Sequence, residues 1–201
     1  MLLVQDVTLY RSDRRIFENI NLSLTSGKII ILKGKNGSGK TSFLKTILNL
    51  LEPSSGSMYW KGKLLKNNLS DYFNNITYIA DKTSSIRQLT VYENIKIWKK
   101  IFLSKVSLMQ IENILKVLNL EFFFEAKVGT LSLGEIKKLE LLRLIIENKK
   151  VWILDEPFTN LDKESIYMIE QTFMDHCKNN GCIIFSSHQD PQMQVSEVIN
   201  L

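Results

Sequence analysis

Apolar residues recur along this chain with two different periods. Leu2 to Leu9 and Ile20 to Leu24 alternate with polar residues as half-buried strands do, with the charged turn Arg11-Ser12-Asp13-Arg14-Arg15 between them. They predict an antiparallel hairpin or edge sheet. The continuous apolar run Ile29-Ile30-Ile31-Leu32 reads instead as a strand buried on both faces, and Phe43, Leu44, Ile47, Leu48 and Leu51 repeat at helical spacing from Lys40 to about Leu51. Ser57 to Trp60 and Ile76 to Ala80 are two more short strands, with an Asn-rich polar segment between them that offers no chemistry. From Val91 to Leu120 the period becomes helical, carried by Ile95, Trp98, Ile101 and Phe102 and then by Ile111, Leu115 and Leu118. A helix follows with apolar positions Ile136, Leu139, Leu142, Ile145 and Ile146. Val151 to Leu154 is an apolar strand, Lys163 to about Lys178 a helix, Cys182 to Phe185 the last well-marked core strand, and Val195 to Leu201 a final short one. Strands alternating with helices predict an α/β fold with a mostly parallel core sheet and an N-terminal antiparallel β part. Residues 83–129 read as an inserted helical lobe. With the helix after Leu131 it makes a helical subdomain over 83–148, set between core segments 1–82 and 149–201 of a single domain.

The aromatic run Phe122-Phe123-Phe124 is most simply the core of that lobe, with exposure to a partner protein as the alternative. His176, mid-helix after Asp175, reads as a surface residue.

The chemistry sits where these elements meet. Gly34-Lys35-Asn36-Gly37-Ser38-Gly39-Lys40-Thr41 joins the Ile29–Leu32 strand to the next helix, the context a phosphate-binding loop requires. Its glycines let backbone N–H groups converge on an anion, and the helix N-terminus adds partial positive charge. Lys40 can reach β- and γ-phosphate oxygens, and Thr41 can ligate Mg²⁺. A glycine-rich turn with an exposed lysine is the plainer reading of the same residues. The Val151–Leu154 strand delivers Asp155 and Glu156 at its C-terminal edge, where ligands bind in parallel sheets. Asp155 can hold a Mg²⁺ shell and Glu156 can polarise a water; a helix cap or surface pair is the alternative. Ser132, in Leu131-Ser132-Leu133-Gly134-Glu135, stands at a helix start, either as a plain cap with Glu135 or as an anion site. His188 ends a strand in the same way as Asp155. Tyr10 lies where an aromatic could stack on an adenine ring, and equally where a strand simply ends.

Composition changes little in this picture. At 201 residues the chain can bury a sizeable core without staples, and its two cysteines, Cys177 and Cys182, lack metal-ligand spacing and read as reduced structural thiols. No apolar run approaches the roughly 20 residues needed to span a bilayer, and no signal peptide is visible. The net charge of +5 is interspersed rather than gathered into a stripe, which argues against direct nucleic-acid binding.

Taken together, these residues resemble the nucleotide-binding subunit of ATP-binding-cassette (ABC) transporters, a P-loop NTPase. The Walker A loop is Gly34 to Thr41, followed by Ser42; the signature motif is Leu131 to Glu135; Walker B is Val151 to Glu156; Asn160-Leu161-Asp162 resembles a D-loop; and His188 is the switch histidine. The resemblance implies a head-to-tail dimer in which each ATP lies between one Walker A loop and Ser132 and Gly134 of a second copy. It implies Glu156 as general base, His188 at the γ-phosphate, ATP and Mg²⁺ as ligands, and integral membrane permease subunits as partners. Such a chain sits peripherally on the cytoplasmic face of the inner membrane. Members of the family carry a glutamine after the strand equivalent to Ile76–Ala80, where its oxygen completes the Mg²⁺ shell; here that position is Asp81, a carboxylate able to do the same. Gly39-Lys40-Thr41-Ser42, Trp60 after the Gly56 turn, the missing glutamine and Ser187-His188-Gln189-Asp190 resemble the ATPase subunits of the cytochrome c biogenesis (haem exporter) systems. An exporter of lipid, peptide or drug is the alternative, and a soluble non-transport cassette a further one.

Overall fold

A computed structural model describes residues 1–201. Two sheets form the scaffold. The first is antiparallel, in the order β2-β1-β4-β5, from β1 (Leu2–Arg11), β2 (Arg14–Leu24), β4 (Ser55–Trp60) and β5 (Lys63–Leu64). Its hairpin is longer than the alternation indicated. Only Ser12 and Asp13 turn, because the register runs on to the Arg11–Arg14 pair. The second sheet is parallel, in the order β6-β7-β8-β3-β9, from β3 (Ile29–Lys33), β6 (Ile76–Ile79), β7 (Val151–Leu154), β8 (Cys182–Ser186) and β9 (Glu197–Asn200). The apolar runs in β7 and β8 are buried at every position, as expected of strands covered on both faces.

Six helices complete the chain: α1 (Lys40–Ile47), α2 (Leu69–Asn74), α3 (Val91–Ile101), α4 (Leu108–Val117), α5 (Leu133–Glu147) and α6 (Lys163–Lys178). Helix α1 ends four residues before Leu51, since Leu48 caps it and Asn49 turns into a positive-φ conformation. The Asn-rich segment is not structureless. It forms α2, which buries Tyr72 entirely, and the Tyr72 hydroxyl donates to the Ile47 carbonyl at 2.6 Å. Thr90, Ser107 and Ser132 open α3, α4 and α5 with capping boxes, which satisfy backbone donors that the first turn leaves free. No helix is long and apolar enough to cross a membrane.

Apolar packing divides into three clusters. One lies between the two sheets, a second between the parallel sheet and α6, and a third inside the helical lobe. Helix α5 serves two of them at once: Leu141 and Leu144 pack toward the sheet while Ile136, Leu139, Leu142 and Ile146 pack toward α3 and α4. Helix α5 is therefore the element that joins the lobe to the parallel sheet.

Two side chains depart from their sequence reading. Phe122 is not lobe core but 89% exposed, whereas Phe123 and Phe124 pack against it in part. His176 is half-buried rather than freely solvated: its ring stacks on Trp152 with centroids 3.6 Å apart and lies within reach of the Lys150 carbonyl at 3.1 Å. Burial lowers its pKa from the ordinary 6.5, against the pull of that carbonyl. The folded state thus binds fewer protons than the unfolded chain between the lowered value and 6.5, so stability is full above 6.5 and falls as pH drops through the window. Urea midpoints from pH 7.5 to 5 should decline, and His176→Gln should flatten the decline; an unchanged slope in the variant would assign the effect elsewhere.

Candidate functional site

The C-terminal ends of β3, β6, β7 and β8 converge on the loop from Gly34 to Gly39 and the first turn of α1. A cleft of about 460 Å³ opens there, lined by Arg14, Ile16, Asn36, Gly37, Gly39, Lys40, Thr41, Ser42, Asp81 and Glu156. Gly39 precedes α1 with φ +108, and a Cβ on it would meet Ile16 Cγ2 at 2.8 Å. Only glycine both adopts that backbone and lets β2 lie against the loop. Lys40 is 7% exposed, and its ammonium donates to the Gly34 carbonyl at 2.8 Å and the Lys35 carbonyl at 3.4 Å. Ser38 Oγ is buried in the same loop with no hydrogen-bond partner, an orphan donor of the kind a bound oxyanion would satisfy.

Behind the loop runs a chain of polar contacts. Thr41 Oγ1 donates to Asp155 Oδ2 at 2.7 Å, and Ser186 Oγ donates to Asp155 Oδ1 at 2.6 Å. The same serine oxygen accepts from the backbone N–H of Glu156 at 2.9 Å. That bond helps hold Glu156 in a left-handed conformation, φ +48, which a non-glycine residue adopts at a cost. The twist turns its carboxylate into the cleft. Oε2 lies 3.0 Å from His188 Nδ1 and Oε1 lies 3.6 Å from Lys40 Nζ. A carboxylate so placed can accept a proton from a nucleophile that enters the cleft.

The field of these acids reaches further. Burial pushes the Tyr78 hydroxyl up to about 12, with Asp155 and Asp81 adding to the shift. Hydroxyl and carboxylate oxygens at Thr41 and Asp155 are hard donors suited to Mg²⁺. No group of three or more His, Cys, Asp or Glu side chains surrounds a point.

Asp81, which also lines the cleft, leads a segment tied down from the other side. Glu140 of α5, 3% exposed, accepts from Thr83 Oγ1, from the N–H and Oγ of both Ser84 and Ser85, and from Arg143. Burial alone would raise its pKa, but the bonds from Ser85, Thr83 and Ser84 and the Arg143 charge outweigh that and hold it below 4.5.

Ser132 and Gly134 are not in the cleft of this chain. Ser132 is an exposed N-cap whose Oγ accepts from Glu135 N–H at 3.3 Å. A Cβ on Gly134 would fall 2.6 Å from the Asn160 carbonyl, so α5 can lie on the segment after β7 only with glycine there. Tyr10 is 44% exposed at the end of β1, with its N–H on Ser54 Oγ, and is not among the residues lining the cleft; Arg14 and Ile16 take that side. Arg14, Ile16 and Ser186 carried no role in the sequence reading. Ser186 was legible only as a strand end beside His188.

A family model for ABC transporters matches residues 17–159. The chain belongs to the ABC transporter family. Among curated ABC proteins it is 33% identical over 190 residues to the cytochrome c biogenesis ATP-binding export protein CcmA of Aliivibrio fischeri, covering 94% of this chain and 93% of that one. It is 36% identical over 192 residues to the CcmA of Reclinomonas americana, covering 94% and 85%. Solved ABC structures give the same fold. An ATP-binding subunit of an ABC transporter superposes with TM-score 0.80 at 23% identity, covering 93% of this chain and 79% of that one. A dimeric ATP-binding cassette in a post-hydrolysis state with ADP and Pi superposes at 0.74 and 21%, covering 94% and 88%.

Proposed function

We propose that this chain is the ATP-hydrolysing subunit of an ABC transporter that serves haem export for c-type cytochrome biogenesis. The observation that carries the hydrolytic part is the Glu156 carboxylate held between His188 Nδ1 and Lys40 Nζ at the mouth of the phosphate loop. The names of the curated relatives support the haem and cytochrome c part.

In this reading the N–H groups of residues 34 to 42 and the Lys40 ammonium hold the β- and γ-phosphates, with Ser38 and Ser42 contributing at the loop. Thr41, Asp155 and Asp81 would hold Mg²⁺. When bound, Mg²⁺ neutralises charge that develops on the phosphate oxygens. Glu156 takes the proton of the attacking water, and His188 orients both the carboxylate and the γ-phosphate. Ser132 and Gly134, distant from their own cleft, serve the site of a second copy, so two chains enclose two ATP molecules. Integral membrane permease subunits dock on the assembly at the cytoplasmic face of the inner membrane.

Detergent-solubilised membranes from cells expressing the chain with an N-terminal tag should yield it together with integral membrane subunits, and the complex should hydrolyse ATP. Recovery with no membrane partner would overturn the transporter reading. Recovery with a permease whose loss leaves haem attachment to c-type cytochromes intact would overturn the haem assignment alone.

A further inference from the structure

Lys137 is a buried cation that lacks a counter-ion. It lies on α5 with 6% of its surface exposed, and its Nζ makes no hydrogen bond. Such an ammonium is costly to keep unless something pairs with it in another state of the molecule. Burial lowers its pKa, and Asp81, Asp155, Glu140 and Glu156, in that order, oppose the shift.

Three of those four acids are already engaged. Asp155 is held by Thr41 and Ser186, Glu140 by Thr83, Ser84, Ser85 and Arg143, and Glu156 by His188 and Lys40. Asp81 alone is exposed and uncommitted. It also lies on a boundary: Asp81 lines the nucleotide cleft, and with Lys137 and Arg87 it lines a second cavity of about 390 Å³ against α5. The Glu140 contacts anchor Thr83 to Ser85 just beyond it, so Asp81 and Lys82 form a short exposed bridge between the end of β6 and that anchored turn.

We propose that Lys137 is a positioning residue for Asp81: when the Asp81 segment closes on MgATP, the carboxylate pairs with the Lys137 ammonium. One carboxylate oxygen then faces the cation shell and the other faces α5. A single charge pair thereby ties the nucleotide cleft to the helix that opens with the signature motif. The proposal rests on the cleft being an MgATP site.

The test is ATP affinity of the purified full-length chain by titration calorimetry, with excess MgCl₂ and with EDTA; the ratio of the two affinities is the readout. Lys137→Met and Asp81→Asn should each lower the ratio about tenfold, the size expected for one charge-assisted contact. The double variant should lose no more than either single one, and Lys137→Arg should keep most of the ratio. Without nucleotide, Lys137→Met should melt about 2–4 °C higher, because it removes an unpaired buried charge. A wild-type ratio in Lys137→Met, or losses that multiply in the double variant, would overturn the pairing. A wild-type ratio of one would overturn it together with the magnesium site. A wild type that binds MgATP with a clear ratio yet never turns it over would remove the ATPase reading while the ratios still decide the pairing.

Discussion

Replacing Glu156 with glutamine is expected to lower ATP turnover by about 10²–10⁴-fold, the range a positioned general base supplies, while ATP binding persists. The amide keeps the shape and can still meet His188 Nδ1, which now lies 3.0 Å from the carboxylate. It also keeps the φ +48 backbone, because the Ser186 bond to residue 156 is made by the main-chain N–H. What it loses is the capacity to take a proton. Binding should hold or tighten, since Lys40 would face an uncharged group at 3.6 Å in place of a carboxylate. Steady-state turnover and equilibrium binding on one preparation separate the two effects. Hydrolysis at the wild-type rate would mean that another group is the base.

Glu140→Ala should be the most damaging change to stability outside the apolar clusters. Its two oxygens accept six bonds, three of them from backbone or hydroxyl groups at 2.7 Å or less. Removing them leaves the Arg143 guanidinium with one acid fewer and strands the N–H of Ser84, while that of Ser85 keeps only Thr83 Oγ1 at 3.0 Å. Breaking a buried charged network of this kind costs about 3–5 kcal/mol, which at this chain length corresponds to a fall in melting temperature on the order of 10 °C. The carboxyl is held below its ordinary value, so its stabilisation is present above about pH 4.5 and is lost as pH falls through the lowered value. Thermal melts of wild type and variant should differ by the same amount from pH 7 to about pH 4.5 and then by progressively less as the pH is taken further down. A variant that melts within 2 °C of wild type at pH 7 would show that the network carries little stability.

Most of the scaffold was legible because it is written in periodicity. Alternation marked β1, unbroken apolar runs marked β3, β7 and β8, and the 3.6-residue repeat marked α1, α3, α4 and α5. The phosphate loop and the Asp155-Glu156 pair were legible because their chemistry depends on residue type at fixed spacing. What escaped depended on distance in the fold. Ser186 bridges Asp155 and Glu156 from the neighbouring strand, Glu140 collects hydroxyls from more than fifty residues away, and His176 is stacked by Trp152 of β7. Nothing local distinguishes such side chains from a solvated helix face. Tyr10 is not among the residues lining the cleft, because the irregular β1–β2 pairing brings Arg14 and Ile16 to the loop.

The order of strands in the parallel sheet carries a consequence for biosynthesis. Strand β3, which presents the phosphate loop, lies between β8 and β9, so both of its sheet partners come from residues 182–201. Until those residues have been added, β3 has no neighbour on either side in the parallel sheet. A chain that stops before residue 182 therefore carries its phosphate loop on an apolar strand with neither of its parallel partners, exposed to the mispairing that unpaired edges invite.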